Sequence, residues 1–122
     1  MAHIIVIDDN TDIREILGTF LTESGYEVTL AADGKQGVDR FREKAADLVI
    51  TDLLMPEQEG VETIRILRKE APNLRIIAMS GGAKLIPVDY LDLARKLGAN
   101  RVFQKPFDIQ ELLKAIEDLL AK

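Results

Sequence analysis

The chain of 122 residues has no cysteine, few aromatic side chains (5%) and more acid than base. The lack of cysteine excludes disulfides, thiolate metal sites and cysteine nucleophiles together. It also suits a reducing cytoplasm, the expected location. No apolar run approaches the roughly 20 residues of a membrane span, and no membrane association is expected. Met1-Ala2-His3-Ile4 leads straight into strand-like sequence with no signal-peptide pattern. A strongly basic face is missing too: 21 acidic against 16 basic side chains give a formal charge of −5. That balance argues against direct nucleic-acid binding. What is present, 47% apolar and 30% charged residues, is ordinary globular composition. The length fits one domain, 1–122, able to bury roughly two-thirds of its unfolded surface. The sequence stops soon after its last helical pattern, so no appended output domain is expected.

Short apolar runs alternate with amphipathic stretches. Residues 4–7 (IIVI), 26–31, 47–52, 74–79 and 101–104 read as strands, the first apolar throughout, as expected for a strand buried on both faces. Between them lie helical patterns: Ile13, Ile16, Leu17, Phe20 and Leu21; Val38 and Phe41; Val61, Ile64 and Leu67; Tyr90, Leu93, Ala94 and Leu97. A last stripe follows at Ile109, Leu112, Leu113, Ile116 and Leu120. Gly25 and Gly98 stand where helices should stop. Asp33 with Gln36, and Asp108 with Glu111, have the spacing of capping boxes. Alternation of this kind predicts α/β architecture: a five-stranded parallel sheet with helices on both faces.

In such sheets function lies at the carboxyl ends of the strands. The first strand there ends in Asp8-Asp9, the third in Asp52 and the fourth in Ser80, and the fifth runs into Lys105. Singly these are turn, cap or solvated residues; their common edge is the signal. Three carboxylates about 5 Å apart repel one another unless a cation offsets them. Lys105 supplies one positive charge, and an all-oxygen donor set favours Mg²⁺ or Mn²⁺ for the rest. Carboxylates, a hard cation, a hydroxyl and an ammonium around one point are the parts for phosphoryl transfer. The nucleophile is then a carboxylate, forming an acyl phosphate.

With those residues placed, the chain resembles the receiver domain of bacterial two-component response regulators across residues 3–121. The matching pieces are VIDDN (6–10), ADG (32–34), TDLLMPEQEG (51–60), MSGG (79–82) and GANRVFQKPF (98–107). The resemblance implies a flavodoxin-like (βα)5 fold with strand order 2-1-3-4-5. It implies Asp52 as phosphoacceptor, taking phosphate from the phosphohistidine of a sensor histidine kinase or histidine phosphotransfer protein. Asp8, Asp9, Asp52 and the backbone carbonyl of Leu54 are then the Mg²⁺ ligands, and Ser80 and Lys105 contact the phosphoryl oxygens. The Lys105–Pro106 peptide is expected to be cis, Gly60 to permit the turn into the third helix, and Met55-Pro56 to shape the loop over the site. The protein is not an enzyme in the usual sense, since it helps catalyse only its own phosphorylation and dephosphorylation. It signals to a downstream partner protein by changing shape.

Three features depart from that pattern. The family usually carries an aromatic switch residue three positions before the lysine, where this chain has Val102; Phe103, next to it, should face the other side of the sheet. The stretch from Ser80 to Gly98 is about three residues longer than the family leads one to expect, an insertion of low entropic cost. With Gly81-Gly82 near its start, that loop is expected to replace the aromatic as the moving part. Leu54 is apolar where many relatives are polar, and is expected to shield an acyl phosphate from water. The single histidine, His3, stands at the opposite end of the first strand and is expected to be a surface or edge imidazole. Glu57, Glu59 and Glu62 read as a solvated acidic face. Alternative readings are a pseudo-receiver that binds partners without using phosphate, or a receiver fragment of a longer regulator. A dehalogenase-type phosphatase would need a second Asp two residues after Asp52, and a flavin or nucleotide site a Gly/Ser/Thr-rich loop after the first strand; the chain has neither.

Overall fold

The computed structural model describes residues 1–53, 59–80 and 88–121, and for residues 59, 88–91 and 93 the backbone alone. The expectations placed on Leu54, Met55-Pro56, Glu57 and the loop at 81–87 fall outside the described residues. Strands and helices alternate strictly. They are β1 His3–Ile7, α1 Thr11–Glu23, β2 Glu27–Ala31, α2 Gly34–Glu43 and β3 Leu48–Asp52. Then follow α3 Glu59–Glu70, β4 Arg75–Ser80, α4 Val88–Leu97, β5 Arg101–Gln104 and α5 Ile109–Leu120. The sheet is parallel, in the order β2-β1-β3-β4-β5. Chain order reverses beside β1, so a crevice opens between the carboxyl ends of β1 and β3.

Strand alternation divides the core into two layers. Ile5, Ile7, Val49 and Ile76 face one way and meet Val38 of α2, Ile64 and Leu67 of α3 and Ala94 of α4. Ile4, Val6, Ile50 and Ile77 face the other way and meet Leu17 and Leu21 of α1 and Leu112 and Ile116 of α5. The uninterrupted apolar runs of β1 and β3 follow from this double coverage. Val102 packs in the first layer and Phe103 in the second, as the alternation predicts.

Local signals set the helix ends. Asn10 Oδ1 accepts from the Ile13 amide at the start of α1 (3.1 Å). Asp33 accepts from the Gln36 amide (2.8 Å) while Gln36 reaches back to the Ala32 amide (3.0 Å), a capping box displaced by one residue. At α5 the cap is Asp108, but it accepts from Gln110, not Glu111. Gly25 and Gly98 have φ of 97° and 122°, the left-handed turn that glycine permits after a helix. At the edge opposite the crevice, Arg68 donates to the carbonyls of Pro72 (2.8 Å), Leu74 (2.6 Å) and Gly98 (2.6 Å). It thereby ties the end of α3 to the α4–β5 turn.

His3 departs from its expectation. It is buried, with Nδ1 against the Ala45 carbonyl (3.1 Å) and Nε2 against Thr29 Oγ1 (2.7 Å). Thr29 of β2 and the chain entering β3 at Ala45 hold the ring between them, so it does not lie free at the rim.

Candidate functional site

β1 and β3 end side by side, with Ile7 opposite Thr51, so the next residues along each strand, Asp8 and Asp52, meet at one edge. Asp8 is 0% exposed and Asp52 5%. Lys105, directly after β5, bridges them: its ammonium donates to Asp8 Oδ2 at 2.9 Å and Asp52 Oδ2 at 3.1 Å. The Lys105 amide also donates to the Ser80 carbonyl (2.6 Å), which fixes where its side chain starts. The peptide to Pro106 is cis, as expected. Burial acts against the charge on Lys105 more than any one partner favours it. The hydrogen bond to Asp8 and the charges of Asp52 and Asp8 together outweigh burial and hold the ammonium pKa above its ordinary value.

Asp9 completes the cluster. One carboxylate oxygen from each of Asp8, Asp9 and Asp52 falls within 4.8 Å of the others, with Asp9 exposed and the other two buried. Three carboxylates thus face one ammonium, a charge imbalance that a divalent cation would correct. The donors are all oxygen, the choice of Mg²⁺ or Mn²⁺. The exposed Asp9 leaves a way in for a hydrated ion. The residues therefore fit such an ion.

Ser80 ends β4 on the same edge, fully buried, and its Oγ has no hydrogen-bond partner among the described residues. A buried hydroxyl left so costs about 1–3 kcal/mol. An acceptor oxygen brought by a ligand would remove that cost.

The pocket is braced from below. Thr51 donates its hydroxyl to the Asp52 carbonyl (3.2 Å), and the Leu53 amide donates to the Met79 carbonyl (2.7 Å). Gly60 lies in the first turn of α3, where the helix is entered. A Cβ there would stand 2.1 Å from the Asp52 carbonyl oxygen and 2.6 Å from Leu53 Cα. Only glycine lets α3 start this close to the peptide that carries Asp52.

Of the residues singled out in the sequence, Asp8, Asp9, Asp52 and Lys105 come together and Ser80 shares their edge. Val102 packs with the α2–α3–α4 layer, away from them. One residue was missed. Arg14, on α1, donates from Nη1 to the Asp8 carbonyl at 2.7 Å. A basic residue one turn into the helix that follows a strand-end Asp is the pattern that could have flagged it.

Comparison with known proteins agrees with this geometry. The family model of the response regulator receiver domain matches residues 4–117. Sporulation initiation phosphotransferase F of Bacillus subtilis is 32% identical over 117 residues, spanning 96% of this chain and 92% of that protein. The response regulator receiver protein CpdR of Brucella abortus is 32% identical over 120 residues, 98% of each chain. Among solved structures, a response regulator receiver domain protein from Clostridium thermocellum superposes with a TM-score of 0.89 at 32% identity, covering 99% of this chain and 95% of that one. Sheet order, matched length and relatives lead to one conclusion: the chain belongs to the response regulator receiver domain family of two-component systems.

Proposed function

We propose that this receiver takes a phosphoryl group from a phosphohistidine onto Asp52, with Asp8, Asp9, Asp52 and the Leu54 carbonyl holding Mg²⁺. The observation that carries the reading is the Lys105 ammonium shared between Asp8 and Asp52 at 2.9 and 3.1 Å. It lies where a phosphoryl oxygen on Asp52 would need a counter-charge. In the transfer, an Asp52 carboxylate oxygen forms the new P–O bond as the P–N bond to the donor imidazole breaks. The nitrogen that loses phosphorus keeps the electron pair of the P–N bond, and the ring gains one proton from solvent to leave as neutral histidine. Lys105 moves its donor from the Asp52 carboxylate to a phosphoryl oxygen, and Ser80 donates a hydrogen bond from its hydroxyl to another. Mg²⁺, when bound, supplies the remaining positive charge to those oxygens. In a site already formed, such groups need little reorganisation as charge develops.

The histidine belongs to a partner kinase or phosphotransfer protein, because His3 is buried at the far end of β1. An apolar groove of about 470 Å³ runs beside Lys105, between Ile13, Ile16 and Phe20 of α1 and Pro106, Phe107 and Ile109. A partner seated there brings its phosphohistidine to the mouth of the pocket. Phosphorylation then alters the surface read by a downstream protein. No helix among the described residues is long and apolar enough to cross a membrane.

The test is incubation with acetyl phosphate, with and without Mg²⁺, following base-labile label in the parent and in Asp52→Asn. Metal-dependent labelling that disappears in the variant is expected. Equal labelling of both proteins would overturn Asp52 as the acceptor.

A further inference from the structure

The three carboxylates are not held alike. Asp8 is fixed at both oxygens: Oδ2 by Lys105 (2.9 Å) and Oδ1 by the Asn10 amide (2.9 Å). Asp52 is held by the same ammonium at 3.1 Å. Asp9 is exposed, and the described residues make no hydrogen bond to its carboxylate. Its placement within 4.8 Å of the other two therefore depends on the course of the backbone between Asp8 and Asn10.

That backbone is pinned at three points. The Asp8 amide donates to the Ala31 carbonyl of β2 (3.1 Å), and the Asn10 amide to Asp8 Oδ1. The third pin is Arg14 Nη1, donating to the Asp8 carbonyl at 2.7 Å. This carbonyl belongs to the peptide that joins Asp8 to Asp9, so its direction sets the direction in which Asp9 leaves the strand. Arg14 is itself carried by the first turn of α1, whose start is capped by Asn10. The loop and the helix thus brace each other.

We infer that Arg14 is a positioning residue for the cation site: by holding the Asp8–Asp9 peptide it keeps Asp9 in reach of the ion that Asp8 and Asp52 also face. The inference rests on the proposed role of the three carboxylates as a metal site. Groups that orient metal ligands from behind typically change affinity by 10–100-fold when removed.

The direction of the effect separates positioning from charge. Removing a cation beside a cluster of carboxylates should, by field alone, tighten binding of Mg²⁺. Removing a brace should weaken it. Titration calorimetry with Mg²⁺ on the parent, Arg14→Met, Arg14→Lys and Asp9→Asn reads this directly. Arg14→Met is expected to bind about tenfold more weakly, despite the lost positive charge. Arg14→Lys, which can still donate to the carbonyl, recovers most of the affinity, and Asp9→Asn binds at least as weakly as Arg14→Met. In the metal-free proteins, amide exchange at Asp9 and Asn10 should speed up in Arg14→Met while the rest of β1 stays protected. Affinity equal to or above the parent in Arg14→Met, with Asp9→Asn weakened, would overturn the inference and leave the site intact. Exchange accelerated evenly along β1 would also overturn it, as general loss of stability. Parent-like Mg²⁺ binding by Asp9→Asn would overturn the reading of the pocket itself.

Discussion

At the scale of single residues, the pocket holds charge that folding alone does not favour. Removing the charge of Asp52 removes two repulsions, with Asp8 and Asp9, whose carboxylate oxygens come within 4.8 Å, and one attraction, to Lys105 at 3.1 Å. Asp52→Asn also keeps an oxygen for Lys105. In EDTA the variant should therefore be more stable than the parent by about 1–3 kcal/mol, measured by urea denaturation. Lys105→Met takes away both attractions and leaves the carboxylates facing one another, so it should cost about 3–5 kcal/mol under the same conditions. A parent more stable than Asp52→Asn without metal would show that the ammonium already balances the cluster. Gly60→Ala belongs here as well. Its Cβ would meet backbone, not a flexible side chain, so about 1–3 kcal/mol of overpacking should outweigh the gain in helix propensity. The carboxylates and the lysine were legible in the sequence because strand ends are legible: an apolar run stops and a charge follows. Arg14 and the burial of His3 were not. Each depends on a side chain crossing to another segment, and periodicity along the chain carries no trace of that.

At the scale of elements, the apolar patterns located every strand to within a residue at each end and marked the apolar stripe of every helix, since each is covered by the sheet or by a helix face. The two layers also follow from alternation: Val102 and Phe103, adjacent in β5, go to opposite sides. What the pattern could not show is how element ends are tied. Arg68 has no carboxylate hydrogen-bond partner among the described residues. It serves carbonyls at the ends of α3 and α4 and the start of β4, where helix dipoles favour a cation. Burial pushes its pKa down, though a guanidinium remains charged throughout the working pH range. Arg68→Met would leave those carbonyls without their donor and should cost about 2–3 kcal/mol, read from the midpoint of urea unfolding. The loss should be the same with and without Mg²⁺, because the arginine lies at the edge opposite the pocket. A loss that appeared only with metal would place Arg68 in the site's machinery instead.

At the scale of the whole molecule, the proposed cation binding is coupled to folding. The three carboxylates converge only when β1 and β3 pair, being 43 and 44 residues apart in sequence, so an ion they hold binds the native state and not the unfolded chain. Mass action then fixes the size of the effect. At about one hundred times its dissociation constant the ion adds about 2.7 kcal/mol, roughly 8–10 °C in melting temperature for a domain of this length. The rise should follow the logarithm of Mg²⁺ concentration above the dissociation constant and flatten below it. Added NaCl should shift the curve to higher Mg²⁺, since a net charge of −5 draws the cation less strongly when screened. Asp9→Asn should lose most of the rise while melting at or slightly above the parent in EDTA, because its side chain is exposed and its charge only adds to the repulsion. If Asp9→Asn melts higher with Mg²⁺ by as much as the parent does, the ion acts elsewhere on the acidic surface, and the edge shared by β1 and β3 is not where it binds.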